Sequence, residues 1–156
     1  MEKTLVILKP DAVQRRLAGK ILSRFEEKGF QIIGLKMVQI TESAARKHYA
    51  AHEGKDFFAP LVKYTTSSPV IVLVLKGKNV VEIVRKMMGD TFGSRAEPGT
   101  IRGDYAVSNR FNLIHGSDSS AAAENEINTF FRKEELLEYN PTDMQWVYDI
   151  STGQMI

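Results

Sequence analysis

The chain has 156 residues, 43% of them hydrophobic, which is enough for one compact domain with a substantial core and too few for two. Its 21 basic and 19 acidic residues leave a formal net charge of +2 and are mixed along the chain. No polybasic nucleic-acid arm and no membrane-binding face stands out, so any anion site must be local.

The absence of cysteine excludes disulfides, thiolate catalysis and cysteine-held metal. No charged-then-apolar leader opens the chain, and its longest apolar run, Val70 to Leu75, is far too short to cross a bilayer. These features predict a soluble, cytoplasmic protein.

In chain order, Thr4 to Leu8 is a β-branched apolar run that suits a strand buried on both faces, and it runs into Lys9-Pro10-Asp11. Ile21, Leu22 and Phe25 recur at helical spacing ahead of Gly29, which can take the left-handed conformation that ends a helix. Ile33, Leu35 and Met37 alternate with Gly34, Lys36 and Val38 as a strand would. His48 and His52 lie four apart on a predicted helix, and Leu61 and Val62 suggest another after Phe57-Phe58.

Val70 to Leu75 is a further buried strand. Asn79 can cap a helix whose Val80, Val84 and Met87 share a face before Gly89. From Asp90 to Gly103 periodicity stops, and Gly93, Pro98, Gly99 and Gly103 mark a long loop of the kind that is usually functional or mobile. Ala121 to Phe131 reads as a helix capped by Ser119 or Ser120. Strands alternating with helices predict an α/β or α+β sandwich, and periodicity leaves a parallel or an antiparallel sheet open.

The long loop leads into Asn112-Leu113-Ile114-His115-Gly116-Ser117-Asp118-Ser119, which sets one histidine between an apolar run and a cluster of hydroxyl, turn-forming and acidic residues. A neutral imidazole is nucleophilic near pH 7, and its attack on phosphorus gives a phosphoramidate that can pass the phosphoryl group to a second acceptor. Moving a γ-phosphoryl group requires separated cations and hydroxyls around one in-line nucleophile. Lys9 at a strand end, Arg85 late on a helix, Thr91 and Arg102 flanking the glycine-rich loop, and Asn112 fit that need. Arg102 can grip a phosphate bidentately, Lys9 only as a point charge. Taken singly, each is ordinarily a solvated surface charge or a turn residue, and only convergence promotes them.

Three segments, Thr4-Leu5-Val6-Ile7-Leu8-Lys9-Pro10-Asp11, Thr100-Ile101-Arg102-Gly103-Asp104 and the His115 segment, in that order and followed by Trp146-Val147-Tyr148-Asp149, resemble the nucleoside diphosphate kinase family almost end to end. The resemblance implies a ferredoxin-like βαββαβ α+β sandwich with a four-stranded antiparallel sheet and helices over one face. It divides the chain into a single domain, 1–149, and a C-terminal extension, 150–156, that runs past where many members end.

By the same resemblance His115 matches the phosphorylated histidine. Lys9, Arg85, Thr91, Arg102 and Asn112 match phosphate- and ribose-binding positions, and Phe57 matches the aromatic that stacks on the base. Tyr49 and His52 match positions near the nucleophile and the phosphates. Glu126 matches the carboxylate that fixes the imidazole tautomer, and Ser117 the hydroxyl near the bridging oxygen. The implied reaction is a ping-pong exchange between nucleoside triphosphates, mainly ATP, and nucleoside diphosphates. Stacking accepts any base, which predicts low base specificity.

Mg2+ is expected to arrive with the nucleotide rather than in a protein cage, so no directly held metal is predicted. The family forms tetramers or hexamers, which implies a homo-oligomer. Asp118 suits either a turn or a water-mediated metal contact.

Three positions depart from the pattern. Asn109 puts a polar side chain where the family has a small apolar one near the base, Arg110 displaces an arginine by one position, and Ala12 replaces a common glycine. The competing chemistries lack their signatures. There is no G-x-x-x-x-G-K-[ST] loop, Ser117 lacks a G-x-S-x-G elbow, and His48-Tyr49-Ala50-Ala51-His52 lacks the glutamate of H-E-x-x-H. The alternative from another class is a nucleotide- or single-strand-binding module that uses the same cleft without catalysis.

Overall fold

The computed structural model describes residues 1–151; of the C-terminal extension, 152–156 lie outside the described residues. β1 (Glu2–Leu8) leads through a short helix, α1 (Pro10–Gln14), into α2 (Ala18–Glu27) and β2 (Gln31–Val38). Next come α3 (Glu42–His48), a 3-10 turn at Ala50–His52, α4 (Phe58–Thr65), β3 (Val70–Gly77) and α5 (Val80–Met88). A second 3-10 turn (Gly93–Arg95) precedes α6 (Ile101–Tyr105), β4 (Ile114–Gly116) and α7 (Ser120–Phe130), and α8 (Met144–Val147) closes the described chain. The sheet order is β2-β3-β1-β4 and every pairing is antiparallel, so this is the four-stranded βαββαβ sandwich.

β1 occupies the middle because it is apolar on both faces. Val6 and Leu8 pack with Ile21 and Phe25 of α2 and with Val80 and Val84 of α5. Leu5 and Ile7 face the other way, against Ala45 of α3, Phe58 and Val62 of α4 and Ile127 of α7. Fully burying each such side chain contributes about 1.5–3 kcal/mol. The expectation of helices over one face therefore holds for the crossover helices α2 and α5 only; the second face carries α3, α4 and α7.

Four local expectations change. A bulge between Ile32 and Gly34 reverses the alternation of edge strand β2, leaving Ile33 buried and Leu35 and Met37 exposed. On α5 the buried face is Val80, Val81, Val84 and Met88 rather than Met87. Asn79 sits at the N-cap position at φ +51°, with no side-chain cap bond, whereas Ser119 does cap α7, accepting from the Ala122 N–H. Finally, the 90–103 stretch is not all loop: Thr100 caps α6, which contains Gly103. A side chain at Gly103 would strike the Glu97 carbonyl, so close backbone approach, not turn formation, requires glycine here. Gly29 does end α2 at positive φ, +89°. Ala12 lies buried in α1 with no positive φ, which explains why it can stand in for glycine.

Candidate active site

β4 is the short edge strand of the sheet, and antiparallel register sets His115 directly opposite Ile7. Facing partners share a sheet face, so the imidazole projects on the Leu5/Ile7 side, toward α3 and α7. On α7, Glu126 meets it: His115 Nε2 lies 3.0 and 3.1 Å from the two carboxylate oxygens, and the Ser117 hydroxyl donates to Oε2 at 2.6 Å. Burial works to raise the Glu126 carboxyl, but hydrogen bonds from His115 and Ser117 and the charges around it hold it below its ordinary range. An ionised carboxylate can only accept, so Nε2 carries a proton and donates, and in the neutral imidazole Nδ1 keeps its lone pair. The ring is fixed in the tautomer a nucleophile needs.

A second imidazole sits against it. His48, the last residue of α3, crosses the His115 ring edge-on at 4.8 Å between centroids, and among the described residues its buried Nε2 has no hydrogen-bond partner. Burial first, then the His115 charge, push His48 down to about 4, so it is neutral at pH 7. His48, His115 and Glu126 each bring one ligand atom within 4.8 Å of the others. Both oxygens of that carboxylate are engaged by His115 and one also by Ser117, an arrangement that orients a ring. His52 lies beyond the end of α3 in the 3-10 turn, so it does not share a helix with His48.

The cations converge as the separated-charge argument requires. Lys9 Nζ donates to Asn112 Oδ1 at 2.7 Å, and Asn112 Nδ2 donates to the Thr91 carbonyl at 2.8 Å. Burial and the neighbouring Arg102 charge push Lys9 down to about 8, partly offset by Asp11. Arg102 is buried and acts as a backbone staple. Its Nε donates to Asn112 O at 3.1 Å, Nη1 to Gly89 O at 3.0 Å and Asp90 O at 3.4 Å, and Nη2 to Ile114 O at 2.7 Å. A guanidinium has five N–H groups, so one is left. A bidentate grip of Arg102 on phosphate would have to compete with these backbone bonds. Burial and the Arg85 charge bring Arg102 down to about 10.

Lys9, Arg85, Thr91, Arg102, Asn112, His115 and Glu126 line one cleft of about 710 Å³ together with Tyr49, His52, Phe57 and Asn109. Phe57 is 50% exposed at the start of α4 while Phe58 is buried in the core, so only Phe57 of the adjacent pair faces the cleft. His52 bridges the two aromatics, stacked on Tyr49 at 6.4 Å and tilted on Phe57 at 5.4 Å. Tyr49 is buried, which raises its phenol. Ser117 does not line the cleft; it stands behind Glu126 and also accepts from the Leu5 N–H.

The nucleoside diphosphate kinase family model matches residues 2–136. The chain belongs to that family. It is 56% identical over 149 residues, 96% of this chain and all of the relative, to the nucleoside diphosphate kinase of Roseiflexus sp. (strain RS-1), and 53% identical over the same length and shares to that of Pelotomaculum thermopropionicum. Among solved structures it superimposes at a TM-score of 0.93 on a halophilic nucleoside diphosphate kinase from Halobacterium salinarum in complex with CDP, at 46% identity, covering 95% of this chain and 99% of that one. The apo enzyme from Encephalitozoon cuniculi follows at 0.91 and 39%, covering 95% and all of the two chains. Phosphoryl transfer between nucleoside phosphates is therefore the function of this chain, and it is a phosphotransferase.

As a nucleoside diphosphate kinase the chain gathers every sequence-predicted site residue at one cleft or directly behind it. His48 had a signal only through its spacing from His52, because nothing in a helix pattern says which ring it will meet on a distant strand. Asp11 and Tyr64 also contribute without having been assigned a role, and Asp11 stood in plain view inside Lys9-Pro10-Asp11. Among the described residues no helix is long and apolar enough to cross a membrane.

Proposed function

We propose that this kinase works by a ping-pong exchange in which His115 carries the phosphoryl group. The observation that supports this most is the Glu126 carboxylate on His115 Nε2, which leaves Nδ1 as the nucleophilic nitrogen. In the first half-reaction Nδ1 attacks the γ-phosphorus of a nucleoside triphosphate, mainly ATP; the P–N bond forms as the bond to the β–γ bridging oxygen breaks, and the diphosphate leaves. In the second, the terminal oxygen of another diphosphate attacks the phosphohistidine and the P–N bond breaks. The phosphorylated ring gains positive character, which Glu126 stabilises as imidazolium. Ser117 holds Glu126 and, with Tyr49, completes the surroundings of the nucleophile.

Lys9, Arg85, Thr91, Arg102 and Asn112 hold the phosphates and ribose, with His52 beside them. Phe57 stacks on the base, and because every base offers a π-face the specificity is low. Among the described residues the carboxylates lining the cleft are Glu126, engaged by His115 and Ser117, and Asp118, exposed and bonded to Ser119, which supports Mg2+ carried by the nucleotide rather than by an octahedral protein cage. When bound on the phosphates, Mg2+ supplies neutralisation of their charge. The protein acts in the cytoplasm as a homo-oligomer, hexamer or tetramer, and residues 1–149 form its single domain.

Steady-state velocities over a grid of ATP and dTDP concentrations test the reaction scheme. Parallel double-reciprocal lines, with ATP–ADP isotope exchange in the absence of any second nucleotide, are the expected result. Intersecting lines without exchange would show direct transfer in a ternary complex.

A further inference from the structure

Immediately before His115, the backbone does something costly. Leu113, fully buried, sits at φ +68°, a region where a residue with a Cβ is seldom found. The Ile114 N–H donates to the Asn112 carbonyl at 2.8 Å across it, closing a γ-turn of the positive-φ kind, the rarer and more strained of the two. Glycine would take this conformation freely, but the core fills the position with leucine.

Both polar groups of Leu113 are pinned from the far side of the sequence. Its carbonyl accepts from the Lys9 backbone N–H at 2.8 Å, and its N–H donates to Asp11 Oδ2 at 3.1 Å. The other oxygen of the same carboxylate, Oδ1, accepts from the Tyr64 hydroxyl of α4. Burial and that bond raise the Tyr64 phenol, so it stays protonated and remains a donor. Phe111 lies edge-on against the Tyr64 ring at 5.3 Å. The turn's flanks are the two working ends of the site: Asn112, which carries Lys9, and Ile114-His115 on β4. Strain held by its surroundings beside a reacting group is a mark of positioning.

We propose that Asp11 and Tyr64 are positioning residues, a carboxylate–phenol clamp that holds the Leu113 turn and through it sets His115 Nδ1 in line with the phosphorus. The clamp acts through the backbone: Asp11 does not line the cleft, and Tyr64, whose ring lines it 5.9 Å from Lys9 Nζ, holds Asp11 through its hydroxyl. It rests on the reading of His115 as the nucleophile. If the turn relaxes, the peptide planes on both sides of Leu113 rotate and the imidazole leaves its in-line position, whereas Arg85 on α5 and Phe57 at the start of α4 keep their places. The loss then falls on the chemical step and spares binding.

The test is the single-turnover rate of phosphohistidine formation at saturating Mg·ATP, with ADP affinity, the thermal midpoint and the 15N shifts of the His115 ring, in wild type, Asp11→Asn and Tyr64→Phe. Small misplacements of reacting groups slow reactions by up to about 100-fold. Asp11→Asn is expected to slow phosphorylation on the order of 10- to 100-fold, and Tyr64→Phe about 3- to 10-fold. ADP affinity should stay within about threefold and the His115 15N signals should shift or broaden. A folded Tyr64→Phe protein that phosphorylates at the wild-type rate would overturn the clamp, and so would losses confined to ADP affinity, which would mean that Asp11 acts on the Lys9 charge instead. Should Asp11→Asn not fold, Tyr64→Phe, which removes one oxygen, decides alone. Absence of any phosphohistidine in wild type would be a different failure, that of the nucleophile assignment, and would take the clamp with it.

Discussion

At the end of the cleft where the phosphates are proposed to lie, Lys9, Asn112, Arg102 and Ser117 are buried and hydrogen-bonded to one another, to Glu126 or to backbone carbonyls, whereas at the proposed base end Phe57, Phe92, Asn109 and Arg110 are exposed. The base end is held by few bonds: Ser94 Oγ donates to Asn109 Oδ1 at 2.9 Å, and Lys55 and Arg95 lie over the Phe57 and Phe92 rings. Phosphoryl transfer depends on sub-ångström placement of a nucleophile and of charge, while stacking tolerates any flat π-face. Rigidity is concentrated where the proposed chemistry needs it, and a loosely built wall suits the proposed indifference to base.

Substitutions at the phosphate end should therefore change rates, and those at the base end should change affinities by less. Glu126→Gln replaces an acceptor-only group with an amide that can favour the wrong tautomer of His115. It is expected to lower kcat on the order of 10²- to 10⁴-fold with KM changed little; an unchanged kcat would remove the orienting role. Lys9→Gln removes the buried cation and should lower kcat/KM on the order of 100-fold.

The same lysine carries a pH signature. Because burial and Arg102 bring it down to about 8, Lys9 loses its proton as pH rises through 8, and kcat/KM for the free enzyme should fall above that point. Below it the charge is present. The Lys9→Gln profile should lack this alkaline limb.

At the base end the effects shrink. Phe57→Ala loses a stacking face worth about 1–3 kcal/mol, so KM should rise roughly 5- to 150-fold for purine and pyrimidine nucleotides alike, with a much smaller change in kcat. Asn109→Val, which restores the small apolar character usual for the family, is expected to alter the ratio of kcat/KM between bases by no more than about threefold. A loss of kcat/KM on Asn109→Val larger than that on Lys9→Gln would reverse the comparison between the two ends.

What could be read from sequence follows the same division. Strand β1, helix α2 with its Gly29 stop and the Ser119 cap of α7 depend on local patterns, and those patterns were present. Edge strand β2 misled, because a bulge at Ile32–Gly34 exchanges which face Leu35 and Met37 present, and no periodicity rule encodes a bulge. Gly103 looked like a loop marker because glycine has two uses, and here close packing on Glu97 rather than a turn demands it. His115, Lys9 and Arg102 stood out through motifs. Arg102's role did not: whether a guanidinium faces a ligand or staples Asn112, Gly89 and Ile114 depends on contacts made only after folding. His48 and Tyr64 act on segments about 50 or more residues away, a separation at which a single sequence carries no pairing signal.

The central claim is that His115 carries the phosphoryl group, and the most direct measurement is the intact mass of wild type and His115→Ala after brief exposure to Mg·ATP, followed by a GDP chase. The account predicts one acid-labile phosphoryl adduct in wild type, removed by GDP with formation of GTP, and none in the variant. An adduct of the same mass and lability in His115→Ala, or no adduct in wild type under conditions where nucleotide binds, would contradict it.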